Sequence, residues 1–322
     1  MRDLHLLPKV RDSLSFLYVE HASIEQDDKS IALIDARGRT PVPCAAITTL
    51  MLGPGTTVTH AALRTLAESG CLVLWTGEGG VRLYAQGLGE TRSSRWFLQQ
   101  ARLWADEAAH MRVVRRMYAM RFGDAEPDPT STLEQLRGRE GARVRTVYQQ
   151  LSRATGVPWE GRSYRRGSWD AADPLNRALS AANACLYGIC HSAILSVGCS
   201  PALGFIHTGR LLSFVYDVAD LYKAWLTIPA AFAVVAEGTT EVERRARYLV
   251  RDTIYDGELL KRLVPDLKKV LELEAVPEVE ADADPDAADV PPGGLWSPDG
   301  STAEGGVNYG ETGGTIDGDD DP

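Results

Sequence analysis

Short apolar runs separated by turn residues dominate the first third of the chain. The runs lie at residues 14–19, 31–34, 71–75 and 81–84, and glycines at 38, 53, 55, 77, 79 and 80 interrupt them. Such runs bounded by glycine are typical of β-strands, whereas residues 60–68 carry a helical spacing. These patterns predict a small β-rich domain over residues 1–89 that contains one helix. The glycine cluster lacks the Lys-Ser/Thr of a phosphate-binding loop, which favours a hairpin turn.

From about Ser93 the apolar positions recur with a helical period. Trp96, Leu103 and Trp104 belong to one stripe, and further helices fit residues 132–154, 176–197, 215–236, 241–254 and 259–273. Apolar residues spaced three and four apart form one face of an amphipathic helix. We therefore predict an α+β protein, in which the β-rich domain precedes a mostly α-helical domain over residues 90–273.

Acidic residues are concentrated at the end of the chain, although the net charge of the whole is -10. Residues 272–322 contain 15 Asp and Glu and no Lys or Arg, which leaves 29 acidic residues against all 34 basic ones in residues 1–271. Apart from Leu295 and Trp296, residues 274–322 have too few apolar side chains to offset the entropy of ordering. We expect a disordered acidic tail there, and a positively charged folded part that permits a nucleic-acid partner.

Cysteine usage and the lack of long apolar runs bear on the compartment. The chain has five cysteines, an odd number, without a Cys-x-x-Cys pair. This pattern favours buried thiols over a disulfide framework or a zinc site. No segment has the composition of a signal peptide, and no run of about 18 apolar residues is present. We expect a soluble, cytoplasmic protein.

A histidine followed by two aspartates is the most informative local pattern. His207 lies in the glycine-flanked segment GFIHTG (residues 204–209), and Asp217 and Asp220 follow it. Residues three apart on a helix share nearly one face, and carboxylates with an imidazole can bind Mg²⁺ or Mn²⁺ beside a phosphodiester. A structural interpretation is also open, because an acid in the first turn of a helix is favoured by the macrodipole. His207 would then be a core histidine.

Glu140 offers a third carboxylate, and it is the only acid in the arginine-rich run at residues 136–145. Arg137 and Arg143 share its helix face. One interpretation is a metal-binding acid ringed by arginines that hold the phosphates of a polyanion. The other is a set of ion pairs on a solvated face.

Three clusters have the composition of nucleic-acid surfaces. Residues 159–169 alternate Trp and Tyr with Arg, as a single-strand binder would, because rings stack on bases while guanidinium groups neutralise phosphates. Two predicted helices each carry a basic cluster, formed by Arg112, Arg115 and Arg116 and by Arg244, Arg245, Arg247 and Arg251. Each cluster alone fits a solvated face equally well. Together they favour DNA as a partner.

These segments resemble the CRISPR-associated integrases, the Cas-one family. The resemblance rests on QLRGREG (residues 135–141) around Glu140, on GFIHTG around His207, and on SFVYDVAD (residues 213–220), which contains both aspartates. Residues 52–62 and 75–82 are similar to the family as well. The match runs from about residue 11 to 272, and the residues of these motifs resemble those of the type I-E branch.

The resemblance implies a metal-dependent DNA integrase and endonuclease of CRISPR spacer acquisition. A 3′-hydroxyl of a short DNA fragment attacks a phosphodiester of the CRISPR repeat, which is a transesterification. Glu140, His207 and Asp220 take the places of the ligands of Mg²⁺ or Mn²⁺, and Asp217 takes that of an accessory acid. The family forms homodimers, two of which flank a dimer of the Cas-two protein.

The resemblance also implies two groups of DNA contacts. The pocket that reads the end of the fragment would be lined by Arg137, Tyr164, Trp169 and Tyr187, and the DNA backbone would be touched by Arg82, Arg210, Lys223, Arg244 and Arg247. His21 departs from the pattern, since a relative has a tyrosine there that stacks on the duplex end, and an imidazole offers less surface. Leu295 and Trp296 are either a docking segment for the Cas-two protein or part of a passive tail.

Two other functions fit the same residues. One is a structure-selective nuclease that acts on branched DNA in repair. The other is a non-catalytic subunit that scaffolds DNA or the Cas-two protein. Joining of DNA to a CRISPR repeat separates the integrase from both.

Overall fold

The computed structural model describes residues 16–80, 83–87, 94–122, 130–161, 173–256, 259–273, 295–296 and 302–303. The chain divides into two compact units, Met1–Val276 and Pro277–Pro322. The β-rich and helical regions both belong to the first unit. The domain boundary predicted at residue 89 falls outside the described residues and stays a prediction.

Two four-stranded sheets form the amino-terminal part of the first unit. Their strands are β1 (Phe16–Val19), β2 (Ser23–Asp27), β3 (Ser30–Asp35), β4 (Gly38–Val42), β5 (Thr49–Leu52), β6 (Thr57–Val58), β7 (Leu72–Thr76) and β8 (Leu83–Gln86). One sheet has the order β1-β5-β7-β8, with β8 antiparallel and the others parallel. The second has the order β4-β3-β2-β6, in which only β2 and β6 pair in parallel.

Helix α1 (His60–Glu68) covers the second sheet, as its spacing predicts. Thr59 caps it by accepting a hydrogen bond from the Ala62 amide, and the buried Leu66 packs in one core with Ile24 and Ile31 of the sheet. The predicted β-rich region with one helix is confirmed. The glycine cluster at 77–80 lies between the antiparallel strands β7 and β8, so the hairpin interpretation is also confirmed.

The helical region surrounds one buried helix. The helices are α2 (Arg95–Ala105), α3 (Glu107–Phe122), α4 (Leu133–Thr155), α5 (Pro174–Ser196), α6 (Ser213–Asp220), α7 (Thr227–Glu237), α8 (Val242–Asp256) and α9 (Leu259–Val270). Helix α5 contacts α6, α7, α8 and α9. It is long and apolar enough to cross a membrane, but 72% of its most apolar window is buried inside the protein. A central core helix has the same composition, and the predicted mostly α-helical region is confirmed.

Two predicted helices are interrupted for identifiable reasons. The stripe that begins near Ser93 breaks at Asp106, whose carboxylate accepts the Ala109 amide at 2.6 Å and so starts α3. The helix predicted over 215–236 ends at Asp220 and restarts at Thr227. Pro229 lies in the first turn of α7, where a missing N–H is tolerated, whereas inside a continuous helix it would clash with the preceding turn.

All five cysteines are free and buried, as predicted. Burial raises the pKa of the Cys185 and Cys199 thiols to about 12, so these thiols stay protonated at neutral pH. The predicted tail lies mostly outside the described residues. Within it, β9 (Leu295–Trp296) and β10 (Thr302–Ala303) pair in an antiparallel ladder.

Candidate active site

The predicted site residues lie on two helices and one irregular turn. Glu140 is on α4, and Asp217 and Asp220 are on α6. His207 is in the non-helical segment that precedes α6. The two aspartates share a helix face as predicted, but they occupy different surroundings.

Asp217 is a fully buried hydrogen-bond acceptor. Its side chain is 0% exposed, and its Oδ2 accepts from the amides of Phe205 at 2.6 Å and Ile206 at 3.0 Å. Its Oδ1 accepts from the His207 amide at 2.9 Å and lies 2.7 Å from the His207 Nδ1. Four partners on two oxygens satisfy the carboxylate. Asp217 therefore holds the turn and the imidazole, and its oxygens are committed to that task.

The bond to Asp217 decides which nitrogen of His207 is open to a ligand. Because Nδ1 faces a carboxylate oxygen, the neutral form of the ring carries its proton on Nδ1 and leaves the Nε2 lone pair for a ligand. The His207 side chain is 44% exposed. A carboxylate that orients an imidazole in this way is the usual partner of a metal-binding histidine.

Arg121, near the end of α3, joins the other two acids. One terminal nitrogen of its guanidinium is paired with Oε1 of Glu140, and the other lies 3.0 Å from Oδ2 of Asp220. Its side chain is only 5% exposed. Two carboxylates from different helices thus share one buried positive group. The sequence offered no signal for Arg121, because it lies outside the arginine clusters.

Lys223 pairs with the other oxygen of Asp220, at 2.5 Å. Burial alone would raise the pKa of Asp220, but the charges of Lys223 and Arg121 outweigh it and hold that pKa below its usual value. In Lys223 the attraction of Asp220 likewise outweighs burial and raises the pKa of the ammonium group. Both groups are charged at neutral pH.

Aromatic rings connect His207 to this cluster. The Lys223 Nζ lies 4.8 Å from the ring centre of Tyr187. Tyr187 packs edge-on against Tyr216 with a centroid distance of 5.0 Å, and Tyr216 contacts the His207 ring at 5.9 Å. The candidate residues therefore form one continuous set of contacts. Gly188, next to Tyr187, lets α5 pack closely against the hairpin turn, because a Cβ there would lie 2.2 Å from the Gly80 carbonyl oxygen.

The donor types of Glu140, His207 and Asp220 suit a divalent cation, but the three side chains are not gathered around one point. Within the described residues, no three His, Cys, Asp or Glu side chains are already grouped for a metal ion. Instead, the guanidinium of Arg121 supplies the positive charge between Glu140 and Asp220. Carboxylate oxygens and a neutral imidazole nitrogen are ligands that Mg²⁺ and Mn²⁺ accept.

The predicted DNA contacts lie in different surroundings. Arg137, Arg210 and Arg244 are exposed, and Arg244 pairs with Glu241 at 3.0 Å. Arg247 is mostly buried and lies 3.6 Å from Glu78 of the hairpin turn. Arg82, Tyr164 and Trp169 lie outside the described residues. His21 is exposed and has a φ of 52°, in a turn against Gly55.

The chain is similar in sequence and in structure to known proteins of one family. The family model of CRISPR associated protein Cas1 matches residues 123–250. CRISPR-associated endonuclease Cas1 2 of Thermus thermophilus is 56% identical over 309 residues, which cover 96% of this chain and 94% of that protein. CRISPR-associated endonuclease Cas1 of Geobacter sulfurreducens is 46% identical over 264 residues, 81% of this chain and 86% of that protein. The crystal structure of the TtCas1-DNA complex is 58% identical, with a TM-score of 0.73, and the match covers 82% of this chain and 99% of that one.

Proposed function

Since the chain belongs to the Cas1 family of CRISPR-associated endonucleases, we propose that it is a metal-dependent DNA integrase of CRISPR spacer acquisition, of the type I-E branch. It acts in the cytoplasm on short DNA fragments and a CRISPR repeat. The observation that carries the proposal is the sharing of Arg121 by Glu140 and Asp220, beside an imidazole oriented by Asp217.

The metal would be held by Glu140, His207 through Nε2, and Asp220. A bound Mg²⁺ or Mn²⁺ ion supplies activation of the attacking hydroxyl and neutralises charge on phosphorus. Arg121 pairs with one oxygen of each carboxylate, so lone pairs that Arg121 does not use would be open to the ion. Lys223 keeps a positive charge next to Asp220.

The reaction exchanges one phosphodiester bond for another. The 3′-oxygen of the fragment bonds to a phosphorus of the repeat, and the bond from that phosphorus to the 3′-oxygen of the repeat strand breaks. The attacking hydroxyl releases its proton to solvent, and the leaving oxygen takes one up. Asp217 contributes by fixing His207, so a proton is held on Nδ1 throughout.

The DNA would bind through its backbone and its ends. The TtCas1-DNA complex supports a DNA partner for this chain. Arg82, Arg210, Lys223, Arg244 and Arg247 are proposed to neutralise phosphates, and Arg137, Tyr164, Trp169 and Tyr187 to line the pocket for the fragment's end. Such contacts make affinity depend steeply on salt. The working assembly is proposed to be two homodimers on a Cas-two dimer.

A substrate comparison tests this proposal against a repair nuclease and a scaffold. The full-length protein, with a Cas-two protein, is given Mn²⁺ and either a fragment with free 3′-hydroxyl ends and a repeat-bearing plasmid, or branched DNA. We expect covalent joining to the repeat, about 100-fold above joining to a plasmid without it, and none after chelation of the metal.

A fragment with 3′-deoxy ends is the matched control, because it binds in the same way but has no nucleophile. Nicking of branched DNA without joining would replace the integrase by a repair nuclease. Binding that is indifferent to metal, without any strand transfer, would reduce the protein to a scaffold.

A further inference from the structure

The segment that carries His207 has no regular secondary structure, yet both sides of its backbone are held. Residues 200–207 lie between the end of α5 and the start of α6. On one side, the amides of Phe205, Ile206 and His207 donate to Asp217. On the other, carbonyl oxygens of the segment accept from side chains of α2 and α3. A loop outside helices and strands needs side-chain partners for its backbone N–H and C=O groups, because no helix or sheet hydrogen bonds fix its position.

Gln100 of α2 makes the largest share of these contacts. It is 0% exposed, and its Nε2 donates to the carbonyl oxygens of Ser200 at 2.9 Å and Leu203 at 3.2 Å. Its Oε1 accepts from the Ser200 amide at 2.8 Å. A buried amide side chain with three backbone partners fixes the position of this loop relative to α2.

Trp104 and His110 contact the next two carbonyl oxygens of the segment, closer to His207 along the chain. The Trp104 Nε1 donates to the Gly204 carbonyl oxygen at 3.1 Å. The His110 Nε2 lies 2.8 Å from the Phe205 carbonyl oxygen, and its Nδ1 lies 3.1 Å from that of Trp104. A neutral imidazole donates to one of these carbonyls, and a protonated one donates to both.

The close packing of the segment makes it sensitive to these bonds. A Cβ at Gly204 would lie 2.4 Å from the His207 carbonyl oxygen and 2.7 Å from the Ser213 Cβ. Because Gly204 has no side chain, its backbone can lie close to the backbone of His207. The Gly204 carbonyl oxygen that accepts from Trp104 therefore belongs to the same tightly packed turn. A shift of the Gly204 and Phe205 carbonyls moves the amides that Asp217 binds, and with them the imidazole.

We infer that Gln100, Trp104 and His110 are positioning residues for the reaction, and we name them the carbonyl clamp. The clamp acts on His207 through the backbone of residues 200–205 and through the edge-on contact of the His110 and Phe205 rings, while Asp217 holds the amides of residues 205–207. This inference rests on the proposed function for its effect on catalysis. Its effect on the turn is independent of that function.

The test combines amide hydrogen exchange with kinetics of the full-length protein. Trp104→Phe removes one donor and keeps a ring, and His110→Leu removes the other. We expect exchange of the Phe205, Ile206 and His207 amides to rise about 10-fold, and the kcat of joining to fall roughly 10- to 100-fold at an unchanged KM for DNA. His110→Gln, which can still donate to Phe205, should recover most of both losses.

Trp96→Phe is the matched control, because Trp96 lies on the same helix outside the clamp. The inference is overturned if both clamp variants keep wild-type exchange at residues 205–207, or if they melt earlier with kcat and KM unchanged. The proposed function has a separate failure: full joining by all three of Glu140→Ala, His207→Ala and Asp220→Ala would end it, whereas the exchange result would still report on the clamp.

Discussion

Alanine at Glu140, His207 or Asp220 is expected to abolish joining of a DNA fragment to a repeat. Each variant removes one ligand of the proposed ion, and metal-assisted stabilisation of the transition state is worth several kcal/mol. The rate should fall on the order of a thousandfold or more. The measurement is single-turnover joining to a repeat-bearing plasmid with Mn²⁺.

DNA binding by these three variants should stay within a few-fold of wild type, because phosphate contacts from many basic residues dominate affinity. Glu134→Ala, His60→Ala and Asp252→Ala are matched controls, since all three side chains are exposed and lie outside the site. Joining at the wild-type rate by any one of the three site variants would remove that residue from the metal site.

Asparagine at Asp217 is expected to damage both the fold and the reaction. The asparagine side chain has one acceptor oxygen and one amide group, and that amide group would face N–H donors. At least one of the three backbone amides, or the His207 Nδ1, is then left without an acceptor inside the protein. The unsatisfied donor costs about 1–3 kcal/mol, and loss of the oriented imidazole should slow joining by roughly 100-fold.

Two measurements separate these effects. Urea unfolding gives the loss of stability, and joining is measured at a temperature where Asp217→Asn remains folded. NMR of His207 reports whether the proton still sits on Nδ1. Asp252→Asn makes the same chemical change on an exposed residue and should alter neither quantity. Wild-type joining by Asp217→Asn would show that the bond to His207 has no catalytic role.

The division into a β-rich and a helical region followed from patterns within short windows of sequence. Leu66 lies in a window whose helical spacing alone predicts α1, and the glycines at 77–80 mark a hairpin without any tertiary information. The split of the helix predicted over 215–236 also has a local signal, because Pro229 disfavours a continuous helix. Local chemistry therefore accounts for most of the architecture.

The different roles of Asp217 and Asp220 could not be read from their spacing. Both lie on one helix face, so the 3.6-residue period treats them alike. What separates them is tertiary: three amides of the preceding turn converge on Asp217, whereas a lysine and an arginine converge on Asp220. An irregular turn has no repeating pattern from which such convergence can be predicted.

Arg121 and the carbonyl clamp were also beyond sequence reasoning. Arg121 is 19 residues from Glu140 and 99 from Asp220 along the chain. His110 lies outside the patterns that the sequence analysis uses to find candidate sites. Its partners are carbonyl oxygens, one of them 95 residues away. Every residue offers such an oxygen, so the sequence does not mark which ones a side chain will bind.

The central claim is that Glu140, His207 and Asp220 bind one divalent cation. The most direct measurement is an anomalous difference map, recorded at the manganese edge, from crystals of the full-length protein soaked in Mn²⁺. We expect one peak in contact with the Glu140 and Asp220 carboxylates and with the His207 Nε2. A peak elsewhere, or no peak in crystals of a protein that joins DNA, would contradict the claim.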